Sequence, residues 1–247
     1  MTFWRSVLVI ATLGLALPAP AWCVVFGSPG APTPAFSLRG SVGLGYSVRP
    51  LNGRNNSGDP LRDELKRFMV LGKLSILPLD WLEIGALIGG ADAKRNLTDF
   101  QGSLGINGGG YLTFHPLLED DFGINISLGG GMQASRNDGD VPDPAGAAGV
   151  RRSTTLKEKQ YFAHITLSKT FKVWNFYGGA TWNLSDVRHG LAATPTLGDV
   201  EGRSQFGMFV GVDYYVTPLI YFSLEGQNFH EDALFASIGM LLAPQKD

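Results

Sequence analysis

From Phe36 onward the chain alternates, with residues of one parity apolar and residues of the other small or polar. A period of two is the mark of a β-strand with two unlike faces. In the first segment Phe36, Leu38, Val42, Leu44 and Tyr46 share one face, and Ser37, Arg39, Ser41, Gly43, Gly45 and Ser47 share the other. The second, near 66–77, sets Phe68, Val70, Leu74 and Ile76 against Arg67 and Lys73, and Leu82, Ile84, Ala86 and Ile88 mark the third. In the fourth, Phe100, Leu104, Ile106, Leu112 and Phe114 oppose Gln101, Ser103, Asn107, Tyr111 and Thr113. In the fifth, Phe122, Ile124, Ile126, Leu128 and Met132 oppose Asn125, Ser127 and Gln133. A polar stretch, 136–157, reads as a mobile loop. Five further alternating segments follow it, from Tyr161 to Leu167, Trp174 to Leu184, Phe206 to Tyr214, Ile220 to Leu224 and Leu234 to Leu242. The pattern predicts an all-β chain of ten antiparallel strands.

A soluble β-sandwich also alternates, so other features must choose between solvent and lipid. The segments run to about ten residues, the length a tilted strand needs to cross a bilayer and about twice the soluble average. Long connections (49–64, 91–99, 135–158, 186–203, 228–232) interleave with short links near Pro78-Leu79-Asp80, 115–121, 171–173 and Thr217-Pro218. Long external loops and short periplasmic turns follow this rule in membrane barrels. On the apolar face, Tyr46, Phe68, Phe100, Tyr161, Trp182 and Phe206 gather toward the long loops. Phe36, Phe114, Phe122, Trp174, Tyr214 and Phe222 gather toward the short turns. These are the positions of two interfacial aromatic girdles. No charge falls on the apolar face, and closure would satisfy every backbone hydrogen bond, as hydrocarbon requires. The expected architecture is an up-and-down antiparallel transmembrane β-barrel in the outer membrane of a Gram-negative bacterium, with both termini periplasmic.

The ends of the chain support secretion. Arg5, the apolar run from Val7 to Leu17 and Ala19-Pro20-Ala21 have the form of a signal peptide with a small-residue cleavage site. Its core is too short to span about 30 Å of hydrocarbon. The organisation read from the sequence is therefore a signal peptide over 1–21, a periplasmic segment over 22–35, the barrel over 36–242 and a periplasmic tail over 243–247. Cys23 is the only cysteine, so an intrachain disulfide is excluded, and Trp22 before it is not the small residue that lipidation needs. Net charge is -2 and charged residues make up 17% of 247. With basic runs no longer than Arg151-Arg152, nucleic acid is not an expected partner. The partners expected are outer-membrane lipid and the outer-membrane assembly machinery.

With its signal peptide, alternating segments and turns such as Leu77-Pro78-Leu79-Asp80-Trp81-Leu82, the region 36–242 resembles the small outer-membrane β-barrel proteins of the OmpA-type and OmpW-type group. The resemblance implies fold and location and no activity. In such proteins an aromatic residue commonly ends the last strand. Here Ser237-Ile238-Gly239-Met240-Leu241-Leu242 matches only in part and is followed by five more residues.

Arg39, Lys73, Glu83, Asp213 and Glu225 all carry inward parity and should meet in the lumen. A structural ion-pair network is one reading, since charges removed from water need partners; an ion-selecting constriction is the other. A ten-strand barrel is little wider than an eight-strand one, whose lumen side chains fill. Inward Tyr111, Phe162, Tyr177, Phe209, Tyr215, Tyr221 and Phe235 would obstruct it further. At the external rim, Asp186 with His189, and His230 with Glu231 and Asp232, could serve acid/base chemistry. Neither set has an evident nucleophile, and the Asp-x-His spacing of omptin-like proteases is absent. Inward His164 has no clustered ligands, so no metal and no cofactor is expected. Gly108-Gly109-Gly110 and Gly129-Gly130-Gly131 lie within strands without the Lys-Ser/Thr of a phosphate loop, which suits wall curvature. The function expected is that of a non-enzymatic outer-membrane barrel with an occluded lumen, structural or recognising partners through external loops. A narrow pore and a surface hydrolase are the alternatives.

Overall fold

The computed structural model describes residues 35–54, 60–96, 99–143, 150–189, 200–201, 205–228 and 232–242. The predicted signal peptide, nearly all of the 22–35 segment and the 243–247 tail lie outside them. Strand segments in chain order are β1 (Ser37–Arg54), β2 (Pro60–Leu79), β3 (Leu82–Ala91), β4 (Lys94–Arg95), β5 (Phe100–Gly102), β6 (Gly105–Leu117) and β7 (Asn125–Pro142). After these come β8 (Arg151–Phe171), β9 (Trp174–His189), β10 (Val200–Glu201), β11 (Gln205–Tyr215), β12 (Ile220–Asn228) and β13 (Asp232–Leu242). One short helix, α1 (Glu119–Phe122), sits between β6 and β7.

Antiparallel pairing runs from β1 through β2, β3, β6, β7, β8, β9, β11, β12 and β13, and β13 pairs back onto β1 from Leu38↔Leu242 to Val48↔Asp232. The sheet is a closed barrel, which removes the free edges that an open sheet would expose. Followed once round the ring, the register returns to β1 displaced by twelve residues. That stagger tilts the strands by roughly 35–45° to the barrel axis. The segments β4, β5 and β10 are off the ring: β4 pairs with β2 and β5, β5 with β7, and β10 with β9. All three lie at the end carrying the long connections.

The two ends differ in how the chain reverses. At one, Asp80 and Trp81 join β2 to β3, and α1 ends on Gly123, whose φ of 74° and N–H donating to the Glu119 carbonyl at 2.7 Å make a left-handed cap. Lys172 takes a φ of 57° between β8 and β9. At the other end the strands overrun the predicted membrane segments, to 18 residues in β1 and β7, 20 in β2 and 21 in β8. This corrects the long loops expected over 49–64 and 135–158, much of which is paired strand. Once a strand leaves hydrocarbon its outward face turns polar while its inward face here mixes charges with apolar residues such as Leu65, Val141 and Leu156, so the lipid-facing alternation is lost while the ladder continues.

The outer wall is apolar and the interior polar, the reverse of a soluble domain. Val42, Leu44, Leu74, Ile88, Ile106 and Val210 are exposed, while Arg39, Glu83, Asp213 and Glu225 are buried. Of the aromatic girdle positions, Tyr46, Phe68, Tyr161, Trp182 and Phe206 at the long-loop side and Phe36, Phe114, Phe122, Trp174, Tyr214 and Phe222 at the turn side are outward and exposed. Phe100 is a correction: it is only 1% exposed and lies inside the barrel. The predicted fourth strand is broken at Ser103–Leu104, where the Ser103 N–H and hydroxyl both donate to the Asp138 carbonyl, at 2.9 and 2.8 Å. A one-residue change of phase reverses the faces, so Phe100 points inward although Leu104 and Ile106 point out.

Candidate functional site: a stratified lumen

The interior of the barrel gathers buried charge, and it is layered. Nearest the short turns, Arg39 on β1 and Lys73 on β2 approach the Glu83 carboxylate on β3 at 3.9 and 3.8 Å. Tyr111 donates its hydroxyl to Glu83 at 2.7 Å, and its ring lies 4.9 Å from the Lys73 ammonium. His115 Nε2 is 3.8 Å from the same carboxylate, and its Nδ1 is 3.0 Å from the Ser127 hydroxyl. Of the five inward charges read from the sequence, three therefore meet directly. The other two are held by neutral donors. Asp213 accepts from Asn175 at 3.0 Å, and Glu225 accepts from the Tyr177 hydroxyl at 3.0 Å and the Gln227 amide at 2.7 Å.

Above this layer lies a belt of rings. Leu87, Tyr111, Phe162, Tyr177 and Phe209 form one apolar cluster and Met69, Leu71, Ala91, Ala233 and Phe235 another, none of them more than 8% exposed. The rings fit because glycines face them: a Cβ at Gly85, Gly45 or Gly211 would enter the ring of Tyr111, Phe235 or Tyr177 respectively. An aromatic ring laid over a glycine of the neighbouring strand fills the lumen and pins register at once. The glycine triplets divide between the faces. Gly129 and Gly131 leave room for His164 and Phe162, whereas Gly108 and Gly110 on the outer face have nothing nearer than 3.5 Å.

A second charged layer follows, which alternation did not reveal as a group. Arg49 and Arg67 both pair with Glu158, the latter at 2.5 Å, and Arg95 pairs with Asp63 at 2.7 Å; all five are buried. Of these only Arg67 has a place in the predicted strands, because 49–64, 91–99 and 135–158 read as loops. The one signal available was even spacing of the charges with Arg67 and Ser47, whose parity Arg49 continues. Interleaved with this layer, Leu65, Ala93, Phe100, Val141, Leu156 and Val187 form a small buried core at the external end, with Leu65 in register with Arg49 and Arg95 and Val187 with Glu158.

The rim candidates do not form a catalytic set among the described residues. Asp186 accepts from its strand neighbour Arg188 at 3.0 Å, Asp232 is exposed, and His189, His230 and Glu231 lie outside the described side chains. His164 is buried with Nδ1 3.2 Å from the Thr166 hydroxyl and its ring against Phe162. Among the described residues no three His, Cys, Asp or Glu side chains group as a metal would require.

No family model and no curated protein sequence matches the chain. Solved structures do. The outer-membrane protease OmpT from Escherichia coli is 14% identical, covering 84% of this chain and 96% of its own, with a TM-score of 0.46. The translocator domain of the autotransporter NalP from Neisseria meningitidis is 9% identical, covering 98% and 94%, with a TM-score of 0.49. The transport unit of the autotransporter AIDA-I from Escherichia coli is 13% identical, covering 96% and 97%, also at 0.49. None of these likenesses singles out the OmpA-type or OmpW-type group, and none lends this chain an activity. The closed ring, the apolar outer belt and the polar, filled interior are the architecture of an outer-membrane β-barrel.

Proposed function

We propose that the chain is a non-enzymatic integral protein of the Gram-negative outer membrane, its termini periplasmic, its lumen occluded, and its role structural or exercised through the external loops. The observation that carries this reading is the ring layer. Tyr111, Phe162, Tyr177 and Phe209 meet across the interior with exposures of 8, 7, 5 and 2%, leaving water little access between the two charged layers. A conducting pore needs a continuous wet path lined by polar groups, and a tightly packed belt of rings, with Glu225 held within it by the Tyr177 hydroxyl, argues against one. The Asp186–Arg188 pairing likewise argues for a rim carboxylate committed to an ion pair and not poised as a base.

The test is electrical. The mature chain, refolded in detergent and inserted into planar bilayers, should give no stepwise single-channel currents, while Tyr177→Ala combined with Phe209→Ala should introduce them. Steps from the unaltered protein would replace this reading with a narrow pore. Lipid or peptide hydrolysis lost on Asp186→Asn or His230→Gln would replace it with a surface hydrolase.

A further inference from the structure

The lipid-facing wall is not uniform in charge. On β7, β8 and β9, just beyond the aromatic residues Tyr161 and Trp182, the outward positions become cationic: Arg136, Lys157, Lys159 and Arg188. Their arrangement follows from the register. Arg136 pairs with Lys157 and Lys157 with Arg188, so three cations stand side by side on three consecutive strands; Lys159 sits one outward position nearer the membrane, opposite Asp186. With strands about 4.8 Å apart, the row spans about 10 Å. All four are exposed, with the side chains of Arg136 and Arg188 at 62 and 68%.

Like charges directly opposite on neighbouring strands destabilise a sheet, so the row has no rationale within the fold. Two carboxylates offset it in part: Asp138 lies 3.5 Å from Arg136 and Asp186 lies 2.9 Å from Arg188. Four cations against these two carboxylates, with Glu201 of β10 in register opposite Asp186, leave a positive surface. At the corresponding positions elsewhere on the wall, β12 and β13 present Asn228 and Asp232, β1 presents Val48, and on β2 Lys66 is already paired with Glu64 at 3.6 Å. On β2 and β4, Lys66 and Lys94 also stand opposite one another; among the described residues β7–β9 is set apart by three cations in register on consecutive strands, with Lys159 beside them.

Its depth identifies the occupant. Interfacial Tyr and Trp mark the level of lipid headgroups, and Lys159 and Lys157 lie two and four residues beyond Tyr161, roughly 5 and 10 Å along the barrel axis for a tilted strand. Below the cations the same strands expose small residues, Gly130 on β7 paired with Ala163 on β8, with Ala180 on β9 one outward position lower. Met132 and Tyr161 stand between these small residues and the cations, and Trp182 is paired with Ala163, so the wall below the cations is apolar, with small residues set among exposed Leu128, Met132, Tyr161, Ile165 and Trp182.

We propose that Arg136, Lys157, Lys159 and Arg188 bind the phosphate of a lipid in the external leaflet, its acyl chains lying against the apolar wall of β7–β9 below Tyr161 and Trp182. The site rests on the membrane-barrel reading above but not on the occluded lumen. It commits to a phosphate carried on a lipid, because only a molecule with a hydrocarbon tail uses both halves of the surface. Guanidinium and ammonium groups suit that chemistry as charge-assisted donors.

The experiment is native mass spectrometry of the detergent-refolded mature chain, mixed in turn with phosphatidic acid and with phosphatidylcholine of the same acyl composition. The unaltered protein should retain phosphatidic acid in preference to phosphatidylcholine. Replacing all four cations with Gln should weaken that retention at least tenfold, since each surface cation contributes about fivefold toward an anionic lipid. Lys66→Gln with Lys94→Gln should leave it unchanged. Inorganic phosphate should not displace the lipid. Equal retention of the two lipids, or of phosphatidic acid by the four-cation variant, would overturn the proposal, and displacement by millimolar inorganic phosphate would show an ordinary anion site. Heat-modifiable gel migration run in parallel keeps the two readings apart: its absence in the unaltered protein sinks the barrel itself, its presence with no lipid preference sinks only this site.

Discussion

The two charged layers of the lumen are built to different standards. In the layer near the short turns, Arg39 and Lys73 stand 3.9 and 3.8 Å from Glu83, and the hydroxyl of Tyr111 makes the close contact. In the layer near the external end, Arg49 and Arg67 both contact Glu158 directly and Arg95 sits 2.7 Å from Asp63. The difference teaches where the barrel is held by its wall and where by its filling. Inside the membrane, closure and the aromatic belt fix the strands, and the charges need only be neutralised. Beyond it, the ribbons of β1–β2 and β7–β8 have no hydrocarbon on their outer face, and their inward ion pairs and small apolar core tie opposite sides together.

The sharpest way to break this comparison is to remove one carboxylate from each layer. Glu158→Gln leaves two buried guanidinium groups without their shared partner and should cost about 3–5 kcal/mol, read as a lower urea midpoint for the refolded barrel. Glu83→Gln should cost distinctly less, because its ion pairs are longer and the amide oxygen can still accept from Tyr111. Equal losses would show that the layers do not differ. Next in size is the external core: Phe100→Ala removes a buried ring and should cost about 3 kcal/mol, with proteolysis of the rim preceding global unfolding. Phe206→Ala, on the lipid face, should leave rim proteolysis unaltered.

Within the membrane, Gly85→Ala should cost about 1–3 kcal/mol by displacing the Tyr111 ring, whereas Gly226→Ala, with nothing within 4 Å of its added Cβ, should be neutral. Smallest is the rim tether. Arg151 donates to the Asp99 carboxylate at 2.9 Å and to its carbonyl at 2.7 Å, and that hydrogen bond holds the Asp99 carboxyl below its usual range. A depressed carboxyl favours the tethered form above its unfolded pKa and loses that advantage as the pH falls through the lowered one. Hydrogen exchange around β5 should therefore quicken only below about pH 4, and Asp99→Asn should show the quick rate at neutral pH without shifting the unfolding midpoint.

How much of this could be read beforehand depends on what lies outside each strand. Where the outer face meets lipid, each strand announces itself, as Leu38, Val42, Leu44 and Tyr46 do against Arg39, Ser41 and Ser47. The inward charges Arg39, Lys73, Glu83, Asp213 and Glu225 were legible from parity alone. Arg49, Asp63, Arg95 and Glu158 were not, because above the membrane the outward face loses its apolar run and the inward face mixes charges with apolar residues such as Leu65, Ala93 and Leu156. Phe100 was misplaced for a related reason: parity is counted along the chain, and the irregular pair Ser103–Leu104, anchored to Asp138 across the sheet, resets the count.

By itself, then, the sequence determined the strands, the identity of the lipid-facing and lumen-facing sets, and the alternation of short turns with long connections, because a period of two and the demands of hydrocarbon act residue by residue. Only the tertiary structure decided which charges pair, where rings rest on glycines, how far the wall extends beyond the bilayer, and that cations on three strands stand in one row. Those outcomes depend on register and stagger between strands distant in sequence, and a shift of one residue on either strand would rewrite them.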